Sequence, residues 1–92
     1  MENRKEKSSN FYSEQKVDEY KLILINDDFN TFDYVIQCLV EICNFDYERA
    51  EQCTLLTHLK GEYQILSGDL DSLETLKQKL FSKNITTKIL KK

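Results

Sequence analysis

Two spacings of hydrophobic residues divide the chain. Tyr20-Lys21-Leu22-Ile23-Leu24-Ile25 is short and rich in strand formers, and Asn26-Asp27-Asp28 halts it, which predicts a largely buried first strand ending in a turn. Phe32, Val35, Ile36, Leu39, Val40 and Cys43 then recur at steps of three and four, the stripe of a helix with one core-facing side. Asn30, with Asp33 three positions on, is placed to cap that helix. Asp46 is the expected cap of a second helix running to about Lys60, where Gly61 supplies the left-handed residue that closes many helices. Along this helix Ala50, Cys53, Leu56 and Lys60 form one row, and Thr54, Thr57, His58 and Gly61 another.

Glu62-Tyr63-Gln64-Ile65-Leu66 alternates like a strand with one wet face, and Ser67-Gly68-Asp69 is expected to break it. Helical spacing resumes at Leu70, Leu73, Leu76 and Leu80 and ends near Asn84, after which Ile85, Thr87 and Ile89 alternate in a last strand. The predicted order β-α-α-β-α-β gives an α+β fold: a small three-stranded sheet with three helices packed on one face. The chain has no proline, so its turns must rest on Gly61, Gly68 and the Asn/Asp clusters. Residues Met1 to Glu19 are polar and charged, which predicts a flexible N-terminal extension, Phe11-Tyr12 included, ahead of one folded domain over residues 20–92.

With 92 residues the chain has no length for a multidomain enzyme. Most of its apolar residues are needed for one core, so a shallow pocket or a flat face is expected rather than a large cavity. Thirteen Lys and Arg against sixteen Asp and Glu leave a net charge of −3, which disfavours binding nucleic acid through its phosphates. Cys38, Cys43 and Cys53 are odd in number and form no C-x-x-C pair, so reduced core thiols are expected. No apolar run approaches the roughly 20 residues of a membrane span, and the start is too polar for a signal peptide, so the expected compartment is the cytoplasm, with no membrane partner.

Signatures of catalysis are missing: there is no G-x-S-x-G, no phosphate-cradling glycine loop and no H-E-x-x-H. The single His58 rules out a multi-histidine metal site, and its spacing from Cys53 turns the two to different sides of a helix. No enzyme activity, cofactor or metal is expected. Asn26-Asp27-Asp28 stands at the end of a strand, where a loop exposes polar side chains, although Asn and Asp are also ordinary turn formers. If His58 faces the same loop, carboxylate oxygens, an amide carbonyl and an imidazole nitrogen form an acceptor-rich nook suited to an ammonium with three donors.

The run Tyr20 to Phe29 resembles the opening strand and N-D-D motif of the ClpS adaptor family, and Arg49-Ala50 and His58-Leu59-Lys60-Gly61 are similar to its R-A pair and H-x-x-G ending at the expected separations. The resemblance spans roughly Tyr20 to Leu90. It implies a non-catalytic Clp protease adaptor that binds the N-terminal residue of N-degron (N-end rule) substrates and delivers them to the N-terminal domain of a ClpA- or ClpC-like AAA+ unfoldase. By resemblance Asn26, Asp28 and His58 hold the α-amino group, with Asp27 shaping the loop or sharing the charge. Asn30, Phe32, Val35, Thr54, Thr57 and Ile85 line the side-chain pocket; for Phe32 and Val35, which lie on the first helix's stripe, a core role is the other reading. Asp71, Glu74 and Thr75 are the expected unfoldase contacts, and a monomer is expected.

The chain departs from the family pattern in the pocket. Asn30-Thr31-Phe32 stands where Thr-Pro-Met is usual, Thr54 where a gatekeeper methionine is usual, and Thr57 where an aliphatic is usual. These changes imply retained preference for bulky hydrophobic termini with tolerance for β-branched ones. A ribosome-associated or structural interaction domain, similar to the ribosomal stalk protein's C-terminal domain, is the alternative; a metal-dependent hydrolase using Asp27, Asp28 and His58 is a weaker one.

Overall fold

A computed structural model describes residues 19–92. Within them β1 (Tyr20–Ile25), α1 (Phe32–Cys43), α2 (Tyr47–Lys60), β2 (Glu62–Gly68), α3 (Leu70–Ser82) and β3 (Thr87–Lys91) follow in the predicted order. The extension expected over Met1–Glu19 lies outside the described residues apart from Glu19, whose carbonyl accepts a hydrogen bond from the Lys92 N–H at 2.8 Å. None of the described helices is long and apolar enough to cross a membrane.

β1 is the middle strand of the sheet β2-β1-β3 and is antiparallel to both neighbours. Its apolar run is continuous because both faces are covered. Leu22 and Leu24 join the core beneath the helices, with Ile36, Leu39, Ala50, Leu73, Leu80 and Ile85. Ile23, on the other face, is only 5% exposed. It sits in the ladder between Gln64 and Lys88, and Lys88 Nζ crosses β1 to reach Glu62 Oε1 at 3.0 Å. Such a half-exposed ion pair adds little stability itself, but the aliphatic stems shield the strand beneath.

β2 departs from simple alternation. Leu22 pairs with Leu66 and Ile23 with Gln64, so Ile65 is an extra residue, a β-bulge. The bulge turns Ile65 and Leu66 both toward the core. The Ile65 carbonyl accepts from Arg49 Nη2 at 3.0 Å, and that guanidinium stacks 3.9 Å from the centre of the Phe45 ring.

Four local expectations are corrected. Thr31, not Asn30, caps α1, accepting the Tyr34 N–H at 3.1 Å, because the Asn30 side chain is engaged elsewhere. Ser67-Gly68 does not break β2: Gly68 pairs with Tyr20, and the break comes at Asp69, which caps α3 through the Ser72 N–H. The turns that take positive φ use Asn44, Gly61 and Asn84, not Gly68. Ile85 precedes β3 rather than opening it; it is buried in the connection, where its N–H donates to the Leu80 carbonyl. The expected helix ends are otherwise met, with Asp46 capping α2 through the Arg49 N–H at 2.8 Å.

Gly61 is the whole connection between α2 and β2 and has φ +90°. A Cβ there meets nothing within 4 Å, so the cost of Gly61→Ala is backbone strain alone, about 1–2 kcal/mol lost in urea unfolding. Thr87, 7% exposed, has a hydroxyl without a hydrogen-bond partner among the described residues. Thr87→Val keeps the shape and removes that burden, so a gain of about 1 kcal/mol is expected in the same measurement.

Candidate functional site

Three segments meet where β1 ends. The Ile25 N–H donates to the Thr86 carbonyl at 3.1 Å, and the Asn26 N–H to the Gly61 carbonyl at 2.9 Å. The first bond ties β1 to the approach of β3, the second to the end of α2. Gly61 also donates its own N–H to the Thr57 carbonyl at 2.8 Å, closing α2. His58, one turn earlier, is thereby held beside the loop that follows β1.

That loop is built around Asp27. Its Oδ1 accepts the N–H groups of Phe29 and Asn30, each at 2.9 Å, and its Oδ2 accepts Asn30 Nδ2 at 3.0 Å. Asn30 Nδ2 also donates to the Asn84 carbonyl at 2.8 Å, pinning the loop to the α3–β3 turn. Tyr34 adds a second pin, its hydroxyl donating to the Lys83 carbonyl at 2.8 Å. Partial burial pushes the Asp27 carboxyl up, but the three hydrogen bonds outweigh it and hold the group below its ordinary range. Asp28 is exposed, and among the described residues the side chains of Asn26, Asp28 and His58 have no hydrogen-bonding partner.

These groups surround a cavity of about 230 Å³. Leu24, Thr54, Thr57 and Ile85, all buried, form its floor, with half-buried Val35 beside them. Asp28, His58 and Phe32 stand exposed at its mouth with Asn26, Asp27 and Asn30. Phe32 is 39% exposed, so it is not the core residue its place on the α1 stripe allows. Its ring lies edge-on to His58, centroids 5.9 Å apart and planes at 80°.

The threonines do not make the floor wet. Thr54 Oγ1 donates to the Ala50 carbonyl at 2.8 Å and Thr57 Oγ1 to the Cys53 carbonyl at 2.7 Å, so both hydroxyl protons are spent within α2. All ten residues singled out for the amine and side-chain positions line this one cavity. Leu24 and Ile25 were missed as lining; the last residues of a strand that runs into a polar loop necessarily border whatever that loop encloses.

Other candidates lie elsewhere. Asp71, Glu74 and Thr75 are exposed on the first turns of α3, away from the cavity. Gly68 pairs with Tyr20, so α3 starts near the opposite end of β1, roughly 17 Å from the loop. Cys53 is buried beside Arg49 while His58 is exposed, so the two form no reactive pair. Burial pushes the Cys43 thiol up to about 11, far from a nucleophile's range.

The Asp27 carboxyl lies below its unfolded value near 4, so its contribution to stability is complete above that pH and is lost as pH falls through the lower folded value. Asn30→Ala removes one of the donors that lower it. Carbon-detected NMR titration is expected to show the Asp27 pKa rising in that variant, and acid unfolding to begin at higher pH.

Comparison with known proteins identifies the family. The sequence model of the family described as "ATP-dependent Clp protease adaptor protein ClpS" matches residues 15–88. The ATP-dependent Clp protease adapter protein ClpS of Thermosynechococcus vestitus is 35% identical over 68 residues, covering 73% of this chain and 72% of that protein. The ClpS of Escherichia coli O1:K1 is 42% identical over 43 residues, 47% of this chain and 41% of that one. Among solved structures, Agrobacterium tumefaciens ClpS2 bound to L-phenylalaninamide has the same fold, with a TM-score of 0.74, 16% identity, and coverage of 79% of this chain and 95% of that one. The family match decides against the ribosomal-stalk-like alternative: this chain belongs to the ClpS family of ATP-dependent Clp protease adaptor proteins.

Proposed function

We propose that the cavity at the end of β1 reads the first residue of a polypeptide with a free amine, and that the protein hands such N-degron substrates to a Clp AAA+ unfoldase. The observation that carries this reading is the composition of one cavity: acceptors at the mouth, apolar groups at the floor. An N-terminal residue is an ammonium next to a side chain, and the cavity offers the complement of both. Asp28 supplies the charge, with the Asn26 side-chain oxygen and a His58 ring nitrogen as further acceptors. Asp27 holds the loop in shape, because three donors already occupy its carboxylate. The Agrobacterium protein's ligand, L-phenylalaninamide, has this chemistry and supports the reading.

The first side chain enters between Phe32 and Val35 on α1 and Thr54 and Thr57 on α2, above Ile85. Threonine in place of a longer residue leaves room at the floor, and its hydroxyl, whose proton goes to the carbonyl four residues back, has no donor left to offer the slot. The slot therefore accepts Phe and Leu and tolerates β-branched Ile. Delivery uses the opposite end of the molecule, where residues 1–19 join β1 and where Asp71, Glu74 and Thr75 offer a contact for the N-terminal domain of a ClpA- or ClpC-like unfoldase.

Fluorescence anisotropy with peptides beginning Phe, Leu, Ile or Gly, each with a free or acetylated amine, tests this. Free Phe and Leu peptides are expected to saturate, Ile to bind more weakly, and Gly and every acetylated peptide to fail. Asp28→Asn is expected to weaken the Phe peptide by about tenfold or more, the scale of a lost charge-assisted hydrogen bond. Equal binding of free and acetylated peptides would reject the reading.

A further inference from the structure

A histidine that must present one nitrogen to a ligand is normally oriented by a hydrogen bond from its other nitrogen to a carbonyl or carboxylate. His58 has no such partner among the described residues: it stands exposed on the last turn of α2, without a hydrogen bond to hold its ring. What it does have is Phe32. The two rings meet edge to face at 5.9 Å and 80°, the arrangement favoured by aromatic quadrupoles. Phe32 is well placed to hold a neighbour still. It is the first residue of α1, directly after the Thr31 cap, and the same turn is fastened to the α3–β3 turn by the Tyr34 hydroxyl.

We propose that Phe32 is a positioning residue for His58, fixing the imidazole so that one nitrogen faces the amine at the cavity mouth. This rests on the function proposed above and extends it. Phe32 also lines the slot, so one ring touches both the reader of the amine and the space for the first side chain. A bulky first side chain that packs on Phe32 steadies the ring that orients His58. Recognition of the amine and of the side chain are thereby coupled rather than additive.

A double-mutant cycle tests the coupling, using Phe32→Leu and His58→Ala alone and together, with the free-amine Phe peptide as ligand. Phe32→Leu also loses direct contact with the peptide, but that loss persists when His58 is absent. The part acting through His58 is expected to make Phe32→Leu cost about fivefold more affinity with His58 present than without it, while Phe32→Tyr, which keeps the ring, restores binding. Because His58 is the only histidine, its ring protons give an unambiguous second readout by NMR. They are expected to shift on adding the free-amine peptide in the wild type, and much less in Phe32→Leu. Equal cost of Phe32→Leu with and without His58, or an unchanged histidine response, overturns the proposal while leaving the amine-reading function intact. Failure of the wild type to distinguish free from acetylated peptide removes that function, and the proposal with it.

Discussion

The site depends on how little chain separates α2 from β2. A single residue, Gly61, makes the turn, and its carbonyl receives the Asn26 N–H while its own N–H closes the helix on Thr57. A longer connection would let the end of α2 drift over the sheet. With one residue, the helix end is fixed to the point where β1 gives way to its polar loop, and His58 has nowhere else to stand. The conformation needed is at φ +90°, which a side chain resists even though there is open space for one. The glycine therefore serves the backbone path, and the path serves the placement of one imidazole.

Within the loop, two adjacent carboxylates differ because their hydrogen-bond capacity is used differently. An ionised carboxylate offers about four lone-pair sites, and Asp27 commits three of them to Phe29 and Asn30. What it gains is a rigid loop and a lowered pKa. Asp28 is left exposed, its charge turned to the cavity mouth. Rigid loop and available charge are complementary: a loop without the first would spend binding energy on ordering itself when a ligand arrived.

The element order was legible because β1, α1 and α3 have clear apolar spacings and each helix has a polar residue at its start; α2, which buries Thr54 and Thr57 and exposes Leu55 and Leu59, was legible from its ends, Asp46 and Gly61. The misread details share one cause, a tertiary partner overruling a local preference. Asn30 is a good cap by type, but the Asn84 carbonyl and the Asp27 carboxylate compete for its amide, and Thr31 takes the role. Ser67-Gly68 reads as a break, yet β1 offers it ladder partners and the strand continues. The bulge at Ile65 has no signal in a run that alternates acceptably without it. For the site, residues clustered in sequence were easy to find, and chemistry alone reached an ammonium-binding nook. The clustering did not show which acid is structural, nor that Phe32 leaves the core to meet His58.

Threonine shows why composition alone misjudges the pocket. Three threonines are buried, and what each costs depends on the element it occupies. Thr54 and Thr57 lie on a helix, where the carbonyl four residues back is always within reach, and each hydroxyl is satisfied there at 2.8 and 2.7 Å. Thr87 lies on a strand, whose own carbonyls point sideways into the ladder, and its hydroxyl finds no partner among the described residues. Substituting threonine into the floor from α2 thus changes the slot's volume more than its polarity.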